Sequence, residues 1–213
     1  MTIDNIFSPF IFRNRIENND FLKRKIAPYI IKAKRKQKSL IPFTWHCDVF
    51  STYLNVDKEK ELFDKNFDNA CLMRAYIENV NIFLNEISLF TPAFNIDMWY
   101  NAYSKNQYQE WHDHAGGKCD FSAIHFLKYD DNIHSPPIFR NPTGKSRLFS
   151  SQKNKERLKD KNNIVNSVYN QIYTPTNIKE GDLIIFPSWL EHVVPQNKSN
   201  ELRITVSFNI DLL

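Results

Sequence analysis

The sequence predicts an α+β fold, with helices gathered in the first half of the chain and short strands in the second. Three observations carry that expectation. Between Asp57 and Phe90, apolar residues from Leu62, Phe63 and Phe67 through Tyr76, Val80, Phe83 and Ile87 recur at three- and four-residue steps, the spacing of one helix face. After Pro92 the pattern changes to short aromatic and β-branched runs, FNIDMWYNAYS (94–104), FSAIHFLKYD (121–130), DLIIFPS (182–188) and RITVSFNIDLL (203–213), divided by turn residues. Helices first and strands after is not the alternation of a βαβ protein.

Taken in order, residues 1–42 form an accessory basic segment. Within it DFLKRKIAPYIIKAKRKQK (20–38) reads as a helix with Phe21, Leu22, Ile26, Ile30 and Ile31 on its apolar side, interrupted at Pro28. Its lysines and arginines read as a solvated face on a packed helix. Residues 43–213 form one domain, opened by a strand at FTWHCDVFSTYL (43–54), in which His46 and Cys47 point to opposite faces and are structural. The helical stretch 57–90 should cover one face of a sheet. A polar, lysine-rich insertion at 140–173 reads as a lid or a solvated loop.

Composition narrows the function classes. Hydrophobic residues at 42% and aromatics at 14% supply a core and pocket walls. The net charge of +4 permits an anionic substrate without demanding nucleic acid; the basic stretches 23–38 and 145–161 are the features that keep a nucleic-acid substrate open. Cys47, Cys71 and Cys119 show no CxxC spacing, which argues against a disulfide framework or a structural zinc and for a cytoplasmic setting. With Asn, Lys, Ile, Phe and Tyr abundant, the composition is that of an AT-rich genome such as a phage, and the compartment would then be the host cytoplasm. No signal-peptide pattern and no apolar run of about 18 residues is present, so membrane association is not expected. Oligomeric state is not encoded in any pattern we read.

The chemistry concentrates in EWHDHAGG (110–117). Alternate residues of an extended segment share a face, so His112 and His114 can converge on one ion while Asp113 points away. The third ligand expected is His192 in GDLIIFPSWLEHVVP. Two ligands on one short segment plus a distant third describe an open metal site, with positions left for substrate and water. Downstream, Arg203 and Thr205 share a face of RITVSFN; a planar guanidinium with a neighbouring hydroxyl is a receptor for a carboxylate. A metal beside a carboxylate receptor implies a chelating acid cosubstrate.

On NAYSKNQYQEWHDH (101–114), SAIHFLKYD (122–130), EGDLIIFPSWLEHVVP (180–195) and RITVSFNI (203–210), the chain resembles the Fe(II)/2-oxoglutarate-dependent oxygenases, in the pattern of prolyl 4-hydroxylases and of oxygenases common in marine phages and cyanobacteria. The resemblance covers roughly 94–213. It implies a double-stranded β-helix, jelly-roll or cupin-like, with the N-terminal helices packed on one face. It implies Fe(II) on His112 and His192, 2-oxoglutarate anchored by Arg203 with help from Thr205 and approached by Tyr103, and O₂ as the oxidant. His125 stands where this group usually has a tyrosine and would hydrogen-bond the cosubstrate or its neighbours. At position 114 the superfamily has a carboxylate and this chain a histidine; either His114 completes a three-histidine site or water fills that place, and the first arrangement is the one favoured. Trp99, Trp111 and Trp189 are candidates for its walls, although core packing is the commoner job of such aromatics.

The activity implied is a dioxygenase hydroxylating an amino-acid side chain of a peptide, or a related small molecule, with halogenation or desaturation left open. The other readings are a non-catalytic β-helix module that binds metal or ligand, a zinc hydrolase on the same three histidines, which leaves Arg203 without a role, and an oxygenase directed at nucleic acid.

Overall fold

The computed structural model describes residues 9–36, 44–54, 63, 66–142 and 172–213. Ten strands and two helices follow one another in these segments: β1 (Phe12–Arg15), α1 (Asn19–Lys36), β2 (Phe50–Ser51), α2 (Ala70–Glu86), β3 (Phe94–Tyr103), β4 (Gln109–His112), β5 (Phe121–Lys128), β6 (Ile138–Arg140), β7 (Ile172–Tyr173), β8 (Asp182–Pro187), β9 (His192–Val194) and β10 (Arg203–Leu212). Most of the lysine-rich insertion lies outside the described residues, as does the start of the expected helical stretch at 57–62.

The strands form two sheets, a six-stranded one in the order β1-β8-β5-β10-β3-β2 and a four-stranded one in the order β4-β9-β6-β7. Every pairing is antiparallel. The α+β expectation holds in this form: two antiparallel sheets with two helices. Strict alternation divides the six-stranded sheet into two faces. Ile204, Val206, Phe208 and Ile210 of β10, with Met98, Tyr100 and Ala102 of β3, join Leu22, Ile26 and Ile30 of α1 and Leu72, Tyr76, Val80 and Phe83 of α2 in the main core. The opposite face of the same strands, carrying Trp99, Tyr103, Ile124, Phe126, Arg203 and Thr205, lines a cavity that the four-stranded sheet closes from the other side with His112, His192 and Val194.

Three local expectations change. The helix runs through Pro28 without a break: the ring faces solvent, where the carbonyl it leaves unpaired can be hydrated, while Ile26, Ala27 and Ile30 on the other side are buried against the sheet. The stretch 44–54 is mostly irregular, with only Phe50–Ser51 paired to β3, because its burial is made by side chains: Cys47 and Val49 pack on Tyr103 and Val194. The second helix starts at Ala70, and Phe63 and Phe67 before it stack on one another (4.2 Å between centroids) and meet Tyr100 edge-to-face. Neither Gly116 nor Gly117 takes a positive φ or a close approach, whereas Gly181 does both, at φ 90° with Asn19 Cβ 3.1 Å from where its own Cβ would stand.

β1 and α1, which fall within the segment expected to be accessory, belong to this core: Phe12–Arg15 pair with β8 and Leu22, Ile26 and Ile30 are fully buried. Basic residues of α1 are engaged within the molecule. Lys23 pairs with Glu180, Lys25 with Asp68 at 2.9 Å, and Lys34 donates to Gln107 and to the Ala102 carbonyl. No helix among the described residues is long and apolar enough to cross a membrane.

Candidate active site

β4 and β9 pair so that His112 and His192 stand directly opposite one another, with their rings 4.2 Å apart. His114 lies just past the end of β4, and its backbone N–H donates to the Ser188 carbonyl (2.9 Å). That bond holds the extended course beyond the strand, so its ring comes within 5.3 Å of His112 and 5.5 Å of His192. One ligating nitrogen from each of the three lies within 4.8 Å of the others. Asp113 is exposed and its carboxylate accepts from the Ala115 N–H, outside the cluster.

Backbone carbonyls orient two of the three imidazoles. His112 donates through Nδ1 to the Glu110 carbonyl (2.7 Å) and His192 through Nδ1 to the Leu190 carbonyl (3.2 Å). Each such bond fixes the tautomer that leaves Nε2 unprotonated; in His112 that nitrogen accepts from the Gln109 carboxamide (3.2 Å). Burial holds all three neutral: desolvation lowers His112, brings His114 to about 4 and puts His192 well below the usual histidine value, with mutual repulsion adding to it. His192 is packed by Phe186 and Phe139, and Trp99 lies against His114 at 5.7 Å and 23°. Trp99 thus lines the cavity, where core packing is the commoner expectation. Trp189 is exposed, and Trp111 lies under the Arg140 guanidinium (4.2 Å) outside the cavity lining.

The cavity, about 470 Å³ with its open mouth, continues from the histidines to Arg203, Thr205 and Tyr103. Arg203 is 1% exposed. Its terminal nitrogens donate to the Ser135 and Pro195 carbonyls (2.9 and 3.0 Å) and its guanidinium lies 4.3 Å over the Tyr103 ring. Its Nε is buried without a partner, and no acidic side chain pairs with it among the described residues. A buried cation so placed favours an anion from outside the chain. Burial raises the Tyr103 phenol to about 12, so it remains a donor. The residues present therefore suit both a divalent metal on three neutral imidazoles and a carboxylate on Arg203.

Sequence reading placed His125 at the cosubstrate; the structure corrects this. His125 is on the helix side of β5, where Nε2 donates to Asn19 Oδ1 and Nδ1 accepts from the Tyr76 hydroxyl, both at 2.9 Å. Both nitrogens are spent, and the residue does not line the cavity. His46 and Cys47 are outside the histidine cluster, one exposed and one buried. Two residues went unnoticed. Gln109 accepts from Tyr103 (3.2 Å) and donates to His112 Nε2 (3.2 Å); a register shift between Gln109 and His112 brings both to the cavity, which simple alternation does not foresee. His134 accepts the Asp130 N–H and lies beside Ser135, whose carbonyl holds Arg203.

With this geometry the comparisons agree. In solved structures the fold is similar to a prolyl-4-hydroxylase from Pseudomonas putida (TM-score 0.57, 10% identity, 95% of this chain and 92% of that one). It is similar also to SnoK, a non-heme α-ketoglutarate-dependent carbocyclase from nogalamycin biosynthesis (0.60, 9%, 94% and 78%). A third is a Trichoplax adhaerens prolyl hydroxylase in complex with a hypoxia-inducible-factor peptide fragment (0.54, 7%, 94% and 83%). No curated protein matches the sequence. Residues 97–209, more than half the chain and running from within β3 to within β10, match the family described as "Putative 2OG-Fe(II) oxygenase". The chain belongs to this family of oxygenases, which use Fe(II), 2-oxoglutarate and O₂, and its three clustered histidines are a candidate iron site.

Proposed function

We propose that the protein hydroxylates an amino-acid side chain of a peptide or protein, or a related small molecule, on a double-stranded β-helix whose opposed halves are the two sheets. His112, His114 and His192 hold the iron, and Arg203, assisted by Thr205 and Tyr103, receives the far carboxylate of 2-oxoglutarate. The observation that carries this reading is the buried, partly unsatisfied Arg203 guanidinium in the same cavity as the three histidines. A zinc hydrolase on the same triad leaves that arginine unexplained.

Bound Fe(II) with 2-oxoglutarate and O₂ supplies oxidative decarboxylation to succinate and CO₂ coupled to C–H oxidation. The chain supplies the rest. Arg203 offers a charge-assisted anchor at a fixed distance from the metal side of the cavity. Gln109, tied to Tyr103 and beside His112 Nε2, stands between the carboxylate end of the cavity and the metal end and yields that nitrogen to the iron. Trp99, Phe126 and Phe186 line the space between the sheets and keep water away from the reacting centre. For the substrate, two of the similar folds are named as prolyl hydroxylases and one holds a peptide, which supports a peptidyl residue as the first class to try. Three free cysteines support a reducing, cytoplasmic setting.

The test is succinate release from 2-oxoglutarate by the purified chain with Fe(II) and O₂, first alone and then with proline-containing peptides, with mass spectrometry of the peptides. Expected are slow succinate release alone, acceleration by an accepted peptide and gain of one oxygen atom in it. No succinate under any condition, with iron bound, would leave a non-catalytic binding module.

A further inference from the structure

The guanidinium of Arg203 is held by two loops and not by its own strand. Ser135, in the turn between β5 and β6, and Pro195, in the connection between β9 and β10, each give it a backbone carbonyl (2.9 and 3.0 Å). Those bonds take two of the five N–H donors of the fork, which lies over the Tyr103 ring. How the fork faces the cavity therefore depends on how the two loops stand relative to each other.

His134 joins them. Within the β5–β6 turn its Nδ1 accepts the Asp130 N–H (3.0 Å), its own N–H donates to the Asp130 carbonyl (2.8 Å), and its carbonyl accepts from the Tyr129 hydroxyl (2.8 Å). An Nδ1 that accepts a backbone N–H carries no proton, so the ring is neutral with its proton on Nε2. Burial holds it below the ordinary histidine value. Nε2 donates across to the Glu201 carbonyl in the second loop (3.2 Å). The same carbonyl accepts from Asn197 Nδ2 (2.8 Å), which also donates to the Tyr103 carbonyl (2.9 Å). One oxygen thus gathers the turn that carries Ser135, the loop that carries Pro195 and the strand whose ring lies under Arg203. His134 is 6% exposed and stands outside both the histidine cluster and the cavity lining.

We propose that His134 is a positioning residue for the cosubstrate anchor: its Nε2–H clips the β5–β6 turn to the β9–β10 connection and so fixes the Arg203 fork in the attitude that receives a carboxylate. The inference rests on the reading of Arg203 as the anchor for the far carboxylate of 2-oxoglutarate. His134 acts through Ser135 and Glu201, not on the ligand.

The experiment measures, without O₂, the affinity of the Co(II)-loaded full chain for 2-oxoglutarate and for oxalate, a chelator of the metal that has no far carboxylate. Wild type is compared with His134→Asn, His134→Gln and Arg203→Met, and thermal melting checks that each is folded. Asparagine keeps an acceptor for the Asp130 N–H but falls short of Glu201; glutamine reaches as far as Nε2 and keeps a donor for that carbonyl. His134→Asn should weaken 2-oxoglutarate by about fivefold, the worth of one net hydrogen bond, and leave oxalate unchanged. His134→Gln should bring 2-oxoglutarate back to the wild-type affinity. A general loosening of the fold would weaken both chelators and would not depend on the reach of the side chain. Should His134→Asn fail to fold, His134→Ala carries the same comparison. If Arg203→Met weakens 2-oxoglutarate while His134→Asn does not, if His134→Asn weakens oxalate equally, or if His134→Gln is no better than His134→Asn, the positioning role is wrong and the anchor stands. If Arg203→Met leaves 2-oxoglutarate affinity unchanged, the reading of Arg203 falls and this inference with it.

Discussion

His125 and His192 are both buried imidazoles at 0% and 2% exposure, in one small protein, and they do opposite things. His125 lies between the helices and the large sheet with both ring nitrogens satisfied by Asn19 and Tyr76. His192 lies between the two sheets with one nitrogen tied to the Leu190 carbonyl and the other facing His112 and His114. Desolvation depresses both, so neither burial nor a shifted pKa tells them apart. What differs is unfilled bonding capacity. On the helix side both nitrogens of His125 are matched within the chain; on the cavity side three imidazoles cluster beside an arginine Nε that is buried without a partner.

The largest effect should follow from removing a ligand on the cavity side. His192→Ala should cut Co(II) or Fe(II) affinity by more than about 100-fold, beyond the range of an outer partner, and abolish succinate release, while the melting temperature of the metal-free chain moves little. A calorimetric titration and a melt on the same sample check both halves. Intact metal affinity would mean that the cavity-side histidines are as closed as His125.

Arg203→Met comes next and should separate stability from binding. Truncating one partner of a buried charge pair costs about 2–5 kcal/mol of affinity, so 2-oxoglutarate binding to the metal-loaded protein should weaken by about 30-fold to a few thousand-fold. The metal-free chain should melt higher, because an unpaired buried charge has been removed. Binding and melting that fall together would show Arg203 to be a structural residue.

The difference between the two faces was only partly legible in the sequence, and the reason is phase. In β10 the alternation of Arg203, Thr205 and Ser207 with Ile204, Val206 and Phe208 announces which side is polar, and the pairing of His112 with His192 follows from an H-x-H segment and a distant histidine after an apolar run. In SAIHFLK of β5 both faces are buried, so nothing in the pattern says whether His125 looks toward the cavity or the helices, and a shift of one residue reverses the answer. Gln109 was hidden by the register shift beside it. The segment 44–54 has strand-like composition, yet it is held by the contacts of Cys47 and Val49 and pairs at only two residues.

On the helix side the expected loss is of stability alone. His125→Leu leaves the Asn19 carboxamide oxygen and the Tyr76 hydroxyl without their partner, at about 1–3 kcal/mol for each group, and Co(II) affinity should not change. The pH dependence has a defined sign. Burial takes His125 from the ordinary 6.5 down to about 3, so between those values the unfolded chain binds a proton that the folded chain does not, and stability falls as pH falls through that window. His114, brought to about 4, contributes in the same direction. Denaturant melts from pH 7 to 4 should show a shallower slope for His125→Leu than for wild type; an unchanged slope would place the acid sensitivity elsewhere.

The smallest effect is expected one residue away from the ligands, on the outer surface of the four-stranded sheet. Trp111, Arg140 and Glu191 each neighbour His112, Phe139 or His192 in sequence, and alternation turns them outward: Arg140 donates to Glu191 (2.6 Å) and covers the Trp111 ring at 4.2 Å. Here water satisfies whatever the chain does not. An exposed ion pair and an exposed cation–π contact contribute at most about 1 kcal/mol each, so Arg140→Ala should lower stability by about that much, less so at high salt, and leave metal and 2-oxoglutarate affinities within twofold. The three strands would then show that the same backbone offers a binding site inside and an ordinary surface outside. A tenfold loss of Co(II) affinity in Arg140→Ala would break that distinction, because it would require the outer clamp to set the inward rotamers of His112 and His192 through the strands they share.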